Sequence, residues 1–124
     1  MSTLTAFNTQ LDRLIGNLIQ YFPENSDFKK FDTVCKLLQK THPRKLMEMF
    51  TSHITMKYKE YILEKNEEFF LNNTFQEEKA NVSNENYANE LIKRLKDNWN
   101  QIDDKNKDII WKYFQVLVVL SEKE

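Results

Sequence analysis

Apolar residues recur along this chain at intervals of three and four, the spacing that stacks side chains on one face of an α-helix. Leu4, Phe7, Leu11, Leu14, Ile15, Leu18, Ile19 and Phe22 form the first such run, and Asp12, Arg13, Asn17 and Gln20 fall outside it. The pattern predicts a helix over about residues 3–22. Pro23 closes it, because the residue before a proline is pushed out of the helical region. Gly16 sits inside this run and costs about 1 kcal/mol against Ala. It serves either a close helix crossing or nothing more than a tolerated surface position.

A second stripe, Phe28, Phe31, Val34, Cys35 and Leu38, follows a cap at Asn25 or Ser26, with Asp27 favoured in the first turn by the helix dipole. Pro43 suits the first turn of a third helix, which runs to about Glu64 with Leu46, Met47 or Met49, Phe50, Ile54, Tyr58, Tyr61 and Ile62 on its apolar side. Thr51-Ser52-His53-Ile54-Thr55 within it are poor helix formers, so a bend is expected there. Glu67-Glu68-Phe69-Phe70-Leu71 reads as a short extra turn that plugs one end of the bundle. Residues 72–86 are polar and rich in Asn and Glu and read as the main loop. A fourth helix opens at Ser83 or Asn84 and carries Tyr87, Leu91, Ile92, Leu95, Trp99 and Ile102.

The last helix, capped by Asp103 or Asp104, is apolar from Ile109 to Leu120 except at Lys112 and Gln115. A helix apolar nearly all round must be enclosed. Twelve residues rise only about 18 Å, short of the roughly 30 Å hydrocarbon core, so it reads as a core helix and not a membrane span. The fold expected is all-α: one domain over residues 1–124, a compact bundle of about five helices around a buried hydrophobic C-terminal helix.

Composition supports this reading. One Gly and two Pro in 124 residues suit helices, since sheet proteins need both for frequent tight turns. The net charge of −1 argues against a general nucleic-acid coat or a polybasic membrane binder. Cys35 is alone, which excludes an intramolecular disulfide. The first residues lack a basic segment followed by an apolar one, so a reducing, intracellular and cytoplasmic setting is expected.

Candidate chemistry is sparse. His42 and His53 share no metal-ligand spacing, and no metal or cofactor is expected. Phosphate-binding loops need several glycines, which this chain lacks. The adjacent acids Glu67-Glu68 and Asp103-Asp104 point about 100° apart on a helix and do not share a site. A carboxylate-pair hydrolase is therefore only a third class, and the expectation is a protein that is not an enzyme.

Two surfaces are candidates for binding. Tyr58, Tyr61, Phe69, Phe70, Phe75, Tyr87, Trp99, Trp111 and Tyr113 are many rings for one small core. A groove lined by Phe50, Tyr58, Tyr61 and Phe69 is expected to receive a helix of a partner protein or of a second copy. The alternative is a nucleic-acid accessory factor. Lys36, Lys40, His42, Arg44 and Lys45 surround the turn between the second and third helices, and no acid occurs from Thr33 to Met47. Cations near the end of the second helix also answer its dipole without any ligand.

Several stretches carry a resemblance: Phe22-Pro23-Glu24 with Phe28 and Phe31, Pro43-Arg44-Lys45-Leu46, Tyr58-Lys59, Glu67-Glu68-Phe69-Phe70-Leu71, and Ile110-Trp111-Lys112-Tyr113-Phe114 with Leu117. Together they resemble small helical proteins encoded by large nucleocytoplasmic DNA viruses of algae and amoebae. The resemblance implies a protein of the virion or the host cytoplasm and brings no catalytic residues with it.

Overall fold

A computed structural model of the chain describes residues 2–72 and 87–123. Their elements are α1 (Thr3–Tyr21), α2 (Ser26–Thr41), α3 (Lys45–Phe50), a π turn (Thr51–Thr55), α4 (Met56–Leu63), α5 (Glu67–Asn72), α6 (Tyr87–Asp97), a 3-10 turn (Trp99–Gln101) and α7 (Asp104–Glu122). No strand occurs among the described residues, and the helices form the expected all-α bundle. The loop expected over residues 72–86 lies outside the described residues except for Asn72, which ends α5. The expected opening of the fourth helix at Ser83 or Asn84 lies outside them too.

Helix ends follow local chemistry. Ser2, Asn25 and Asp103 accept hydrogen bonds from the backbone N–H groups of Thr5, Asp27 and Asn106 at 3.0, 2.9 and 3.0 Å, each satisfying a donor the first turn leaves orphaned. Asn25 and Asp103, and not their neighbours Ser26 and Asp104, are thus the caps. α1 stops at Tyr21 ahead of Pro23, and the Phe22 N–H bonds back to the Leu18 carbonyl at 3.0 Å.

The third predicted helix is broken into three pieces, with the π turn at Thr51–Thr55. The physical reason lies in the spacing of its core residues. Leu46, Phe50, Ile54, Tyr58 and Ile62 recur every four residues, and in an α-helix of 3.6 residues per turn such a row drifts by about 40° at each step. One widened turn, in which the Met56 N–H reaches back to the Thr51 carbonyl, takes up most of that drift. Thr51 Oγ1 also donates to the Met47 carbonyl at 2.8 Å, the back-bonding that bends helices. Ile54 and Ile62 are consequently buried on the same side as Leu46 and Phe50.

α7 lies against α1, α3, the π turn and α4. It buries Ile110, Phe114, Leu117, Val118 and Ser121. Phe50 links the two sides of this core, edge-on to Phe7 of α1 at 5.4 Å and stacked with Phe114 of α7 at 6.3 Å. The enclosure of α7 is nevertheless incomplete, since Val116 and Val119 stay 42% and 44% exposed. The π turn is pinned to α7 by a buried hydroxyl pair, Thr55 and Ser121, 2.7 Å apart. Ser121 spends its single proton on the Val118 carbonyl at 2.8 Å, so Thr55 is the donor between them.

Gly16 serves no close crossing: a Cβ built there meets nothing within 4 Å. Gly16→Ala should therefore raise the free energy of unfolding by about 0.5–1 kcal/mol, from the backbone entropy of the unfolded chain alone. Thr55→Val should lower it by about 1 kcal/mol through the lost hydroxyl bond. Urea unfolding followed by circular dichroism reads both, and a lower midpoint for Gly16→Ala would contradict the open space around that position.

Candidate functional site: an aromatic corner and its apolar flank

The C-terminal end of α4 sets the geometry of this corner. Asn66 N–H bonds to the Tyr61 carbonyl at 2.9 Å and Lys65 N–H to the Ile62 carbonyl at 3.1 Å, the paired closure of a Schellman motif. Lys65 takes the left-handed position of that motif, at φ 54°, which glycine usually fills. Asn66 Oδ1 then accepts from the Phe69 N–H at 3.0 Å and so caps α5. The chain reverses within a few residues and lays α5 across the corner.

Two adjacent phenylalanines of α5 meet two sets of rings. Phe69 stacks on Tyr61 with ring centres 3.7 Å apart and an interplanar angle of 4°, and lies 5.8 Å from Tyr58. Phe70 stands edge-on to Trp99 at 5.0 Å and to Trp111 at 5.9 Å, and the two indoles are themselves edge-to-face at 5.9 Å. The edge-on contacts of Phe70, Trp99 and Trp111 suit the ring quadrupole. Glu67, three residues before Phe70 and therefore on its face, accepts from Trp99 Nε1 at 2.7 Å. Lys107 Nζ lies 3.9 Å from the same carboxylate and 5.5 Å from the centre of the Trp99 ring. A cavity of about 40 Å³ with an apolar lining remains beneath, bounded by Tyr58, Tyr61, Phe70, Trp99 and Trp111 among others.

Three of the four residues expected to line a partner groove are thus brought together: Tyr58, Tyr61 and Phe69. Phe50 is not among them. It is 5% exposed and faces α1 and α7, because it lies on the deep side of the stripe ahead of the π turn. The space left between the tyrosines is filled by the chain's own α5. Sequence reasoning placed Phe69 and Phe70 in a plug and missed the carboxylate that holds it. The Glu67–Trp99 contact spans 32 residues and leaves no local signal.

Beside the corner runs an exposed apolar flank. Lys59 Nζ and Glu122 Oε2 are 2.7 Å apart, and Gln115 Nε2 donates to the Ile62 and Leu63 carbonyls at 3.3 and 3.2 Å, so α4 and α7 run antiparallel. In this register Met56 and Leu63 on α4 and Val116 and Val119 on α7 share the outward side of the seam. Met56 is 78% exposed, far more than an ordinary core-forming methionine. Gln115, one of the two breaks in the apolar surface of the last helix, is explained by its bonds to the end of α4.

The basic corner is less one-sided than the sequence implies. Lys36 pairs with Asp32 one turn earlier, at 2.8 Å. Lys40 lies in the last turn of α2, where the dipole favours a cation. Arg44 and Lys45 border a shallow depression with His42 and Glu48. Asp32 and Glu48 bracket the run of cations and lower the positive potential a phosphate backbone would meet.

Among the described residues no group of three or more His, Cys, Asp and Glu gathers for a metal ion, and no helix is long and apolar enough to cross a membrane. Asp103 is spent on its cap and Glu67 on Trp99. Comparison with protein-family models, curated proteins and solved structures finds no match.

Burial pushes the Cys35 thiol up to about 12, with Asp12 and Asp32 adding to the shift. Because the unfolded chain's thiol ionises more readily than the buried one, this contribution is intact below about pH 9 and is lost as pH climbs toward 12. Native Cys35 is expected to resist a thiol-specific reagent at pH 8 and to react fully once urea unfolds the chain. Rapid labelling of the folded protein would place the thiol in a reactive setting instead.

Proposed function

We propose that this chain is a non-enzymatic helical protein-interaction module that associates through the outer face of α4 and α7. The observation that carries the reading is that Met56 and Leu63 on α4 and Val116 and Val119 on the adjoining α7 are all exposed. Methionine in this set favours an adaptable contact, as its unbranched side chain repacks easily. Lys57 and Glu60 on α4, Glu64 just after it, Lys112 on α7 and Lys123 just after it give these helices both signs of charge. Mixed charge suits an isologous contact, in which each copy offers the same patch to the other. Carried forward with it, the resemblance to viral helical proteins makes this an assembly component of a virion or an infected cell.

Sedimentation velocity across the micromolar range tests the reading. The wild-type chain should shift from monomer to dimer with rising concentration. The double substitution Met56→Glu with Val119→Glu should leave it monomeric at every concentration while its helical circular dichroism is retained. Loss of two central apolar contacts weakens such an interface by about 2 kcal/mol or more each. A wild-type chain that stays monomeric throughout would end the proposal.

A further inference from the structure

The aromatic corner holds a second surface, distinct from the α4/α7 flank, and α5 displays what fits it. α5 is six residues long, and none of them is fully buried. A helix this short has no stability of its own in water and exists only by being docked. Among its attachments are side-chain contacts in two directions: Phe69 on Tyr58 and Tyr61, and Glu67 with Phe70 on Trp99. It is tethered through Lys65, whose left-handed backbone closes the end of α4. An apolar cavity of about 40 Å³ borders Phe69 and Phe70.

We propose that the corner is a peptide-docking groove whose resident ligand is α5, and that it exchanges α5 for a helical segment of a partner protein bearing an acidic residue followed two and three positions later by aromatic ones. The proposal deepens the interaction-module reading, on which it rests, by adding a second surface and the chemistry of its partner. The spacing follows from α5 itself. Residues three apart share a helix face, which sends the acid and the second ring to Trp99, while the first ring turns toward the tyrosines. Trp99 Nε1 and the Lys107 ammonium supply the donor and the positive charge that select the acid. Exchange is favoured over simple opening, because lifting α5 alone would strand two indoles and two phenols in water. A larger ring at the second aromatic position occupies the cavity that Phe70 leaves.

The test uses the full chain and a synthetic peptide of the sequence Asn-Glu-Glu-Phe-Phe-Leu-Asn, residues 66–72. Trp99 and Trp111, the chain's two tryptophans, report occupancy by their fluorescence. The Phe69→Ala, Phe70→Ala double variant has lost its resident rings and should bind the peptide saturably. Wild type should bind it at least tenfold more weakly, because α5 competes from within the same molecule. Changing the peptide's second Phe to Trp should tighten binding, read calorimetrically, and changing both to Ala should abolish it. Glu67→Ala, which keeps both resident rings and so guards against loss of the fold, should also bind more tightly than wild type. Absence of saturable binding to both variants, or equal binding by variants and wild type, would overturn the proposal. The Met56→Glu, Val119→Glu chain should bind the peptide as wild type does, which separates failure of this groove from failure of the self-association surface.

Discussion

Ile110, Phe114, Leu117 and Val118 escape water only if neighbours reach α7 from more than one side, and α1 can cover one side at most. The second cover is the rod that runs from Lys45 to Leu63, and a straight rod would not serve. Its core residues recur every fourth position, so their row would wind around a regular α-helix and leave α7 before the rod ended. The widened turn at Thr51–Thr55 brings the row back, and the hydroxyl pair of Thr55 and Ser121 holds that turn against α7. Phe50 can then touch Phe114 at one end while Ile62 and its neighbours meet Gln115 at the other. Tyr58 and Tyr61, on the piece of the rod that follows the widened turn, take their direction from this adjustment of helical phase.

How much of this is legible in the chain alone depends on whether the deciding contact is local. Caps, proline stops and the broken rod are local, and Asn25, Asp103, Pro23 and the run from Thr51 to Thr55 announce them. Depth within an apolar stripe is not local. Phe50 and Tyr58 belong to the same row, yet one is sealed between Phe7 and Phe114 and the other borders a surface groove. Periodicity specifies the face a residue occupies and leaves open what stands opposite. The Glu67 carboxylate beneath Trp99 is the sharper case, since an acid next to two phenylalanines reads as solvated until the indole 32 residues away is brought over it.

The same distinction governs the two candidate surfaces. The basic run from Lys36 to Lys45 stands out because like charges are neighbours along the chain, whereas the acids that temper it, Asp32 and Glu48, stand just beyond the run at either end. The apolar flank is inconspicuous for the opposite reason. Met56, Leu63, Val116 and Val119 come from two helices and look like ordinary members of apolar runs. Only the antiparallel register set by Lys59–Glu122 and Gln115 places them on one open side.

A helix that docks in its own chain's groove has a consequence for affinity. Tethering raises the effective concentration of α5 into the range of millimolar for a short connection, so an external segment must either bind far better than α5 or be delivered at a comparable local concentration. Association through the neighbouring α4/α7 flank would supply the second condition. On the proposed reading, a partner bound at that flank would raise the local concentration of its own helices near the corner. The two surfaces share α4 and α7, so each strengthens the case for the other without a change of fold.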